Sequence, residues 1–145
     1  MKKQVEFEFS RPLQVDRVAA TGSHEKIEAD EKERQAIATR LGLEAIASLA
    51  AHLKALPWRG GLQVTGAVRA AVDQVSVVSL DVFSSEMSFQ VERYFMPARA
   101  TVPEGEEDVD LIEHGEVDLG ELVVEALALE LDPYPRRPGE SFEPQ

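Results

Sequence analysis

Six residues in one short stretch carry the groups best able to hold a metal ion or move a proton: Asp108, Asp110, Glu113, His114, Glu116 and Asp118. Carboxylates and imidazoles are the oxygen and nitrogen ligands of divalent cations. The spacing does not make an EF-hand loop, because Glu113 stands where that loop needs glycine. Nothing in the sequence would desolvate a pair of these carboxylates and drive their pKa values apart for acid–base work. The stretch reads as a solvated acidic loop. A metal-dependent hydrolase built on it is the least supported of three functional readings.

A second constellation is basic and aromatic. Lys54, Arg69, Arg93 and Arg99 fall in or near one region with Trp58, Tyr94 and Phe95. Cations that meet phosphates, set among rings that stack on bases, are the ingredients of an RNA-binding face. Their density is low, and the bland alternative is ordinary wet-face and edge side chains. Ser76 and Ser79 have no identifiable base, so neither is read as a nucleophile. His24, His52 and His114 lie far apart, each without a second histidine at ligand spacing. No dinucleotide, P-loop or nucleophile-elbow motif occurs. No catalytic residue, metal, cofactor or small-molecule substrate is therefore assigned.

The elements that would position these groups follow from periodicity. In the stretch 62–95, Leu62, Val64, Val68, Ala70 and Val72 alternate with Gln63, Thr65, Arg69 and Asp73. Met87, Phe89, Val91 and Phe95 alternate with Glu86, Ser88, Gln90 and Glu92, while Arg93 breaks the oily parity and Tyr94 the wet one. Successive strand residues face opposite sides, so these are two half-buried strands, most simply an antiparallel pair. Val5, Phe7 and Phe9 predict a short strand ended by Pro12, and 24–29 a brief one. Asp30 with Glu33 is a capping-box start for a helix whose apolar stripe is Ala36, Ile37 and Leu41, with Gly42 as its stop. Asp118 with Glu121 repeats that start for a helix with Leu119, Leu122, Val123, Ala126 and Leu127 on one side, stopped by Asp132-Pro133. Residues 43–56 satisfy both periods: alanine and leucine favour helix, yet 43, 45, 47, 49, 51, 53 and 55 are all apolar. Pro57, Trp58, Arg59, Gly60 and Gly61 read as a turn, with Trp58 at its mouth. Val109 and Leu111 hint at a short strand, and His114-Gly115 at a turn.

Charge divides the chain unevenly. The net charge is −12, and residues 1–100 carry 13 basic and 13 acidic side chains. Residues 101–145 carry 14 acidic and 2 basic, so the whole imbalance lies in the last third. That third is unsuited to lie along a phosphate backbone. Cysteine is absent, which fits a reducing compartment. The first residues lack an apolar run of the signal-peptide kind. A cytoplasmic, soluble single domain without membrane contact is expected.

Several pieces together resemble the YceD family of large ribosomal RNA subunit accumulation proteins: the capped short helix, the V-T-G-x-V-x-A-x-V run at 64–72, the V-V-S-L-D run at 77–81, and above all the late D-L-G-E-L-V-x-E-x-L-x-L-x-L-D-P-Y-P-R run at 118–136. The resemblance implies a part in 23S ribosomal RNA accumulation and large-subunit assembly, in the bacterial cytoplasm or in plastids, with no enzymatic activity assigned. It also implies strand at 43–56. Many members carry a C-x-x-C pair where this chain has Ser76-Val77-Val78-Ser79, and serine hydroxyls do not replace thiolates as zinc ligands.

The expectation is thus an α+β domain over 1–136, an antiparallel sheet or partly open β-barrel with two short helices and an acidic C-terminal third. Residues 97–108 are expected to form a flexible acidic linker and 137–145 a disordered tail. The leading functional reading is a non-enzymatic assembly factor that meets a basic ribosomal protein or the pre-50S particle through its acidic third. The contact residues would be Asp118, Glu121, Glu125 and Arg136, with the 104–108 loop. The alternative is direct binding of ribosomal RNA by the sheet face through Arg69, Arg93 and Arg99.

Overall fold

The structure, a computed structural model, describes residues 7–97, 109–137 and 139. In chain order the elements are β1 (Pro12–Gln14), a single 3-10 turn (Val15–Arg17), β2 (Ser23–Glu28), α1 (Glu31–Leu41), β3 (Ala45–Trp58), β4 (Gly61–Val75), β5 (Val82–Pro97), β6 (Val109–Ile112), β7 (Glu116–Asp118) and α2 (Leu119–Glu130). Five strands form one open sheet in the order β2-β3-β4-β5-β6. All its pairs are antiparallel except β5 with β6. A separate two-stranded ribbon joins β1 to β7. This is an α+β fold with an unclosed sheet.

The alternating stretch 62–95 is the sheet's centre. Val68 faces Phe89 and Ala70 faces Met87 across β4 and β5. Leu62, Val64, Val68 and Val72 are wholly buried. The ambiguous segment is strand β3, flanked on both sides by partners. A bulge between Ile46 and Ser48 explains the double periodicity. It lets Ile46 and Leu49, three apart, share the buried side before alternation resumes at Ala51, Leu53 and Ala55. Ladder bonds to two neighbours override the helical propensity of its alanines. Arg59 and Gly60 form the two-residue hairpin turn to β4, both at positive φ, 47° and 80°, as the twist of paired strands demands.

Both helices start as their sequences predict. Asp30 and Glu33 make the full reciprocal capping box, and Gly42 closes α1 in the left-handed conformation. The Asp118 carboxylate accepts the Glu121 N–H. The stripe of α1 is shifted by a residue: Ile37 and Ala38 are buried and Ala36 is exposed. In α2 the expected Leu119, Leu122, Val123, Ala126 and Leu127 are all buried, joined by Gly120 and Val124. That helix is covered on most sides, by the sheet and by the chain's early segment.

One expected element is not found among the described residues. Residues 7–10 form no strand, and the part of that expectation on Val5 lies outside the described residues. Phe9 goes into the core alone, 1% exposed. Its carbonyl lies against the first turn of α2, where a Cβ on Gly120 would stand 2.2 Å from the Phe9 oxygen. Arg11 then fastens this segment. Its amide donates to Asp118 at 2.9 Å, and its guanidinium grips both Glu33 oxygens at 2.7 and 2.9 Å.

That fork holds the Glu33 carboxyl below its ordinary value of 4.5, the Arg11 hydrogen bond being the main cause. A depressed folded-state pKa contributes stability that is present above the unfolded value and lost as pH falls through the folded one. The unfolding midpoint is therefore expected to drop as pH is lowered below about 4.5. Glu33→Gln should lower the midpoint at pH 7 and flatten its acid slope. Thermal unfolding followed by circular dichroism from pH 7 to 3 checks both, and an unaltered slope would refute the role.

Candidate functional site

The sheet has two unlike faces. The apolar one carries both helices. Arg40 of α1 meets Glu121 of α2 at 2.6 Å, and Arg93, on the inner side of β5 opposite Val64, meets Asp110 at 2.5 Å and Glu125 at 3.8 Å. The other face is open: His52, Arg69, Glu86, Ser88, Gln90 and Glu92 are exposed on it.

Strand register assembles this open face. His24 stands opposite Lys54, and Lys26 opposite His52. Directly opposed side chains lie about 5 Å apart at Cβ, so two cross-strand pairs make a square of four basic side chains. Lys54 continues to Thr65 and His52 to Ala67, and one further row places Ala50 beside Arg69. A groove of about 220 Å³ is lined by His24, Glu25, Lys26, His52, Leu53, Lys54, Thr65 and Gly66. Among the described residues, Lys26, Lys54 and Arg69 enter no ion pair. Their neighbours Ala50, Thr65 and Ala67 on β3 and β4 are small or uncharged, and the acid Glu28 on β2 enters no ion pair with them among the described residues. The acids of the face are Glu28 on β2, opposite Ala50 and two residues from Lys26, Asp73 on β4, and Glu86 and Glu92 on β5.

Trp58 and Tyr94 form the hairpin end of the same face, their ring centroids 4.8 Å apart. The expected basic set is therefore divided. Arg69 and Lys54 share the open face. Arg93 and Phe95 belong to the covered one, Phe95 being buried. Arg99 lies outside the described residues. Arg93 cannot act with Arg69, because successive strand residues alternate and their positions put them on opposite sides. The oily parity of Arg93 already carried this signal. The basic square needed the register of β2 on β3, which no local pattern encodes.

The acidic set is dispersed and largely occupied. Asp118 caps α2 and accepts from the Ser10 hydroxyl at 2.5 Å and the Arg11 amide. Glu121 is taken by Arg40, which also holds Glu8 at 3.0 Å. Burial pushes the Glu125 carboxyl up, against the pull of Arg93. Glu116 accepts from Gln14 at 2.9 Å, Asp110 is held by Arg93, and Glu113 and His114 sit exposed at the β6–β7 turn. Among the described residues no three such groups converge to hold a metal ion. Arg136 is exposed; Asp108 and the rest of the 104–108 loop lie outside the described residues. A larger cavity of about 380 Å³ lies beside the end of α2, and Glu44 and Asp132 are the charged groups that line it among the described residues.

The serine pair has a local structural role. Ser76 is fully buried, and its hydroxyl accepts the amides of Val78 and Ser79 at 3.1 and 3.2 Å. Ser79 accepts from Asp81 at 3.3 Å. These bonds fold the β4–β5 link in place of ladder bonds.

No helix among the described residues is long and apolar enough to cross a membrane. No curated protein matches the chain, and no solved structure does. A family model described as large ribosomal RNA subunit accumulation protein YceD matches residues 64–145, from β4 to the last residue. The match spans more than half of the 145 residues and leaves out β2 and β3, which bear the basic square. The chain belongs to the YceD family of large ribosomal RNA subunit accumulation proteins.

Proposed function

We propose that this chain supports accumulation of the large-subunit ribosomal RNA by holding RNA on the open face of its sheet, in the cytoplasm, and that it catalyses no reaction. The observation that carries the reading is the set of uncovered cations, Lys26, Lys54 and Arg69, beside His24 and His52 on one solvent-facing surface. Lysine and arginine that neutralise phosphates release condensed counterions, which makes such binding tight at low salt and weak at high salt. Asp110, Glu121 and Glu125 of the last third meet Arg93 and Arg40 on the helix side of the sheet, so these three repel an RNA on the open face only weakly through the intervening layer.

Ultraviolet cross-linking of the full chain to ribosomal RNA, followed by mass spectrometry, tests this. Adducts on peptides from β2, β3 and β4 are expected. Adducts confined to α2 and the residues after it would defeat the proposal.

One observation favours a second reading, a contact with a basic ribosomal protein. Glu130 and Asp132 are exposed at the end of α2 and enter no ion pair among the described residues. Leu129 and Tyr134 beside them are 84% and 71% exposed. In this reading the contact moves away from Asp118 and Glu121, whose oxygens are engaged within the chain, toward that helix end. Charge steering of this kind shows as a salt-sensitive association rate.

A further inference from the structure

Trp58 is the only tryptophan in the chain, and it is only half-buried at the hairpin end of β3. Trp58, Leu56, Lys54 and His52 are alternate residues of one strand, so the indole shares the open face with the basic square. Four residues of strand separate Trp58 from Lys54, about 13 Å at the usual rise. Tyr94 buttresses the indole at a 54° tilt. Its own position is fixed by a hydrogen bond donated to the Glu92 carboxylate and one accepted from Gln63 Nε2 at 3.5 Å.

A planar cation already lies on the indole. The Arg59 guanidinium stands 4.9 Å from the ring centroid. Arg59 is also a left-handed residue in a turn position that glycine or asparagine fills with less strain. The indole is thus a surface on which a flat, polarisable group rests.

We infer that Trp58 is a stacking shelf for an unpaired nucleobase, which makes the open face selective for single-stranded over duplex RNA. The inference rests on the reading that this face holds RNA, and it adds the class of RNA held. A duplex keeps its bases stacked inside and presents only backbone and groove edges, whereas an unpaired base can turn out and lie on an aromatic ring. The shelf takes the base, and Lys54 and Lys26 follow the backbone running from it.

The tryptophan reports on itself. The full chain is titrated with a single-stranded oligonucleotide of large-subunit ribosomal sequence, then with the duplex of the same sequence, while Trp58 emission is recorded. Saturable quenching by the single strand and unchanged emission with the duplex are expected. Trp58→Ala should weaken single-strand binding about 10-fold in a polarisation assay and leave duplex binding as it was. Trp58→Phe, which keeps a ring, should retain most of the affinity; a purely structural tryptophan would change the melting temperature of both variants without changing strand preference. RNA binding with no change in emission, or equal affinity for both forms, overturns the shelf and leaves the face standing. No binding of either RNA removes the parent reading and the shelf together.

Discussion

Alanine at Lys26, Lys54 and Arg69 together is expected to weaken binding of single-stranded ribosomal RNA on the order of 100-fold at low ionic strength, from about 1 kcal/mol per cation. The magnitude is less diagnostic than the salt dependence. Each phosphate neutralised on a single strand contributes about 0.7 to the slope of log affinity against log salt. Losing three contacts should flatten that slope by about 2. The fold should survive, because these three side chains make no ion pair among the described residues. Arg93→Ala is the internal control. It removes the partner of Asp110 on the covered face, so it should lower the unfolding midpoint and leave the salt slope intact. A slope that follows Arg93 and ignores the triple variant would place the RNA on the wrong face of the sheet.

The largest effect on stability is expected at Phe9. Phe9→Ala removes a ring that is 1% exposed and leaves a cavity between α2 and the early segment. Truncations of this kind cost about 3–5 kcal/mol, a large share of the 5–15 kcal/mol that holds a typical domain together. Urea unfolding should show a lower midpoint with a similar slope. Gly120→Ala attacks the same seat from the other side, since its new methyl would meet the Phe9 carbonyl; overpacking there is expected to cost about 1–3 kcal/mol. A loss under about 1 kcal/mol from Phe9→Ala would mean that this segment is not seated in the core.

Much of the fold was legible because strong local signals agreed with the tertiary outcome. The parity of 62–95 placed β4 and β5 and their buried side, and two Asp-x-x-Glu starts marked both helices. The strand at 43–56 was not settled by its own residues, since alanine carries a helical preference and a bulge imitates a helical spacing. Resemblance supplied what propensity withheld. Phe7 and Phe9 alternate as a strand would, but among the described residues Phe9 is a single plug.

The candidate site was half legible. Arg69 stood on the wet parity of β4, and Arg93 stood on the dry parity of β5, which already divided them. The pairing of His24 with Lys54 and Lys26 with His52 depends on how a helix returns β3 against β2. So does the capture of Glu121 by Arg40, whose partners are 81 positions apart. Distances of that order are set by the whole chain, and the charge count of a segment does not reveal which of its acids are already spoken for.

The β1–β7 ribbon has a consequence for biogenesis. The Arg11 amide and its Asp118 acceptor are 107 positions apart, so during translation the segment around Phe9 and Arg11 has nowhere to dock until Asp118 and α2 have emerged. Loop closure over that distance is slow and comes late. A nascent chain released before Asp118 would display an unseated Phe9 and an unclosed ribbon, the kind of exposed apolar surface that chaperones and proteases recognise. Synthesis past α2 is thereby the step at which this domain becomes whole.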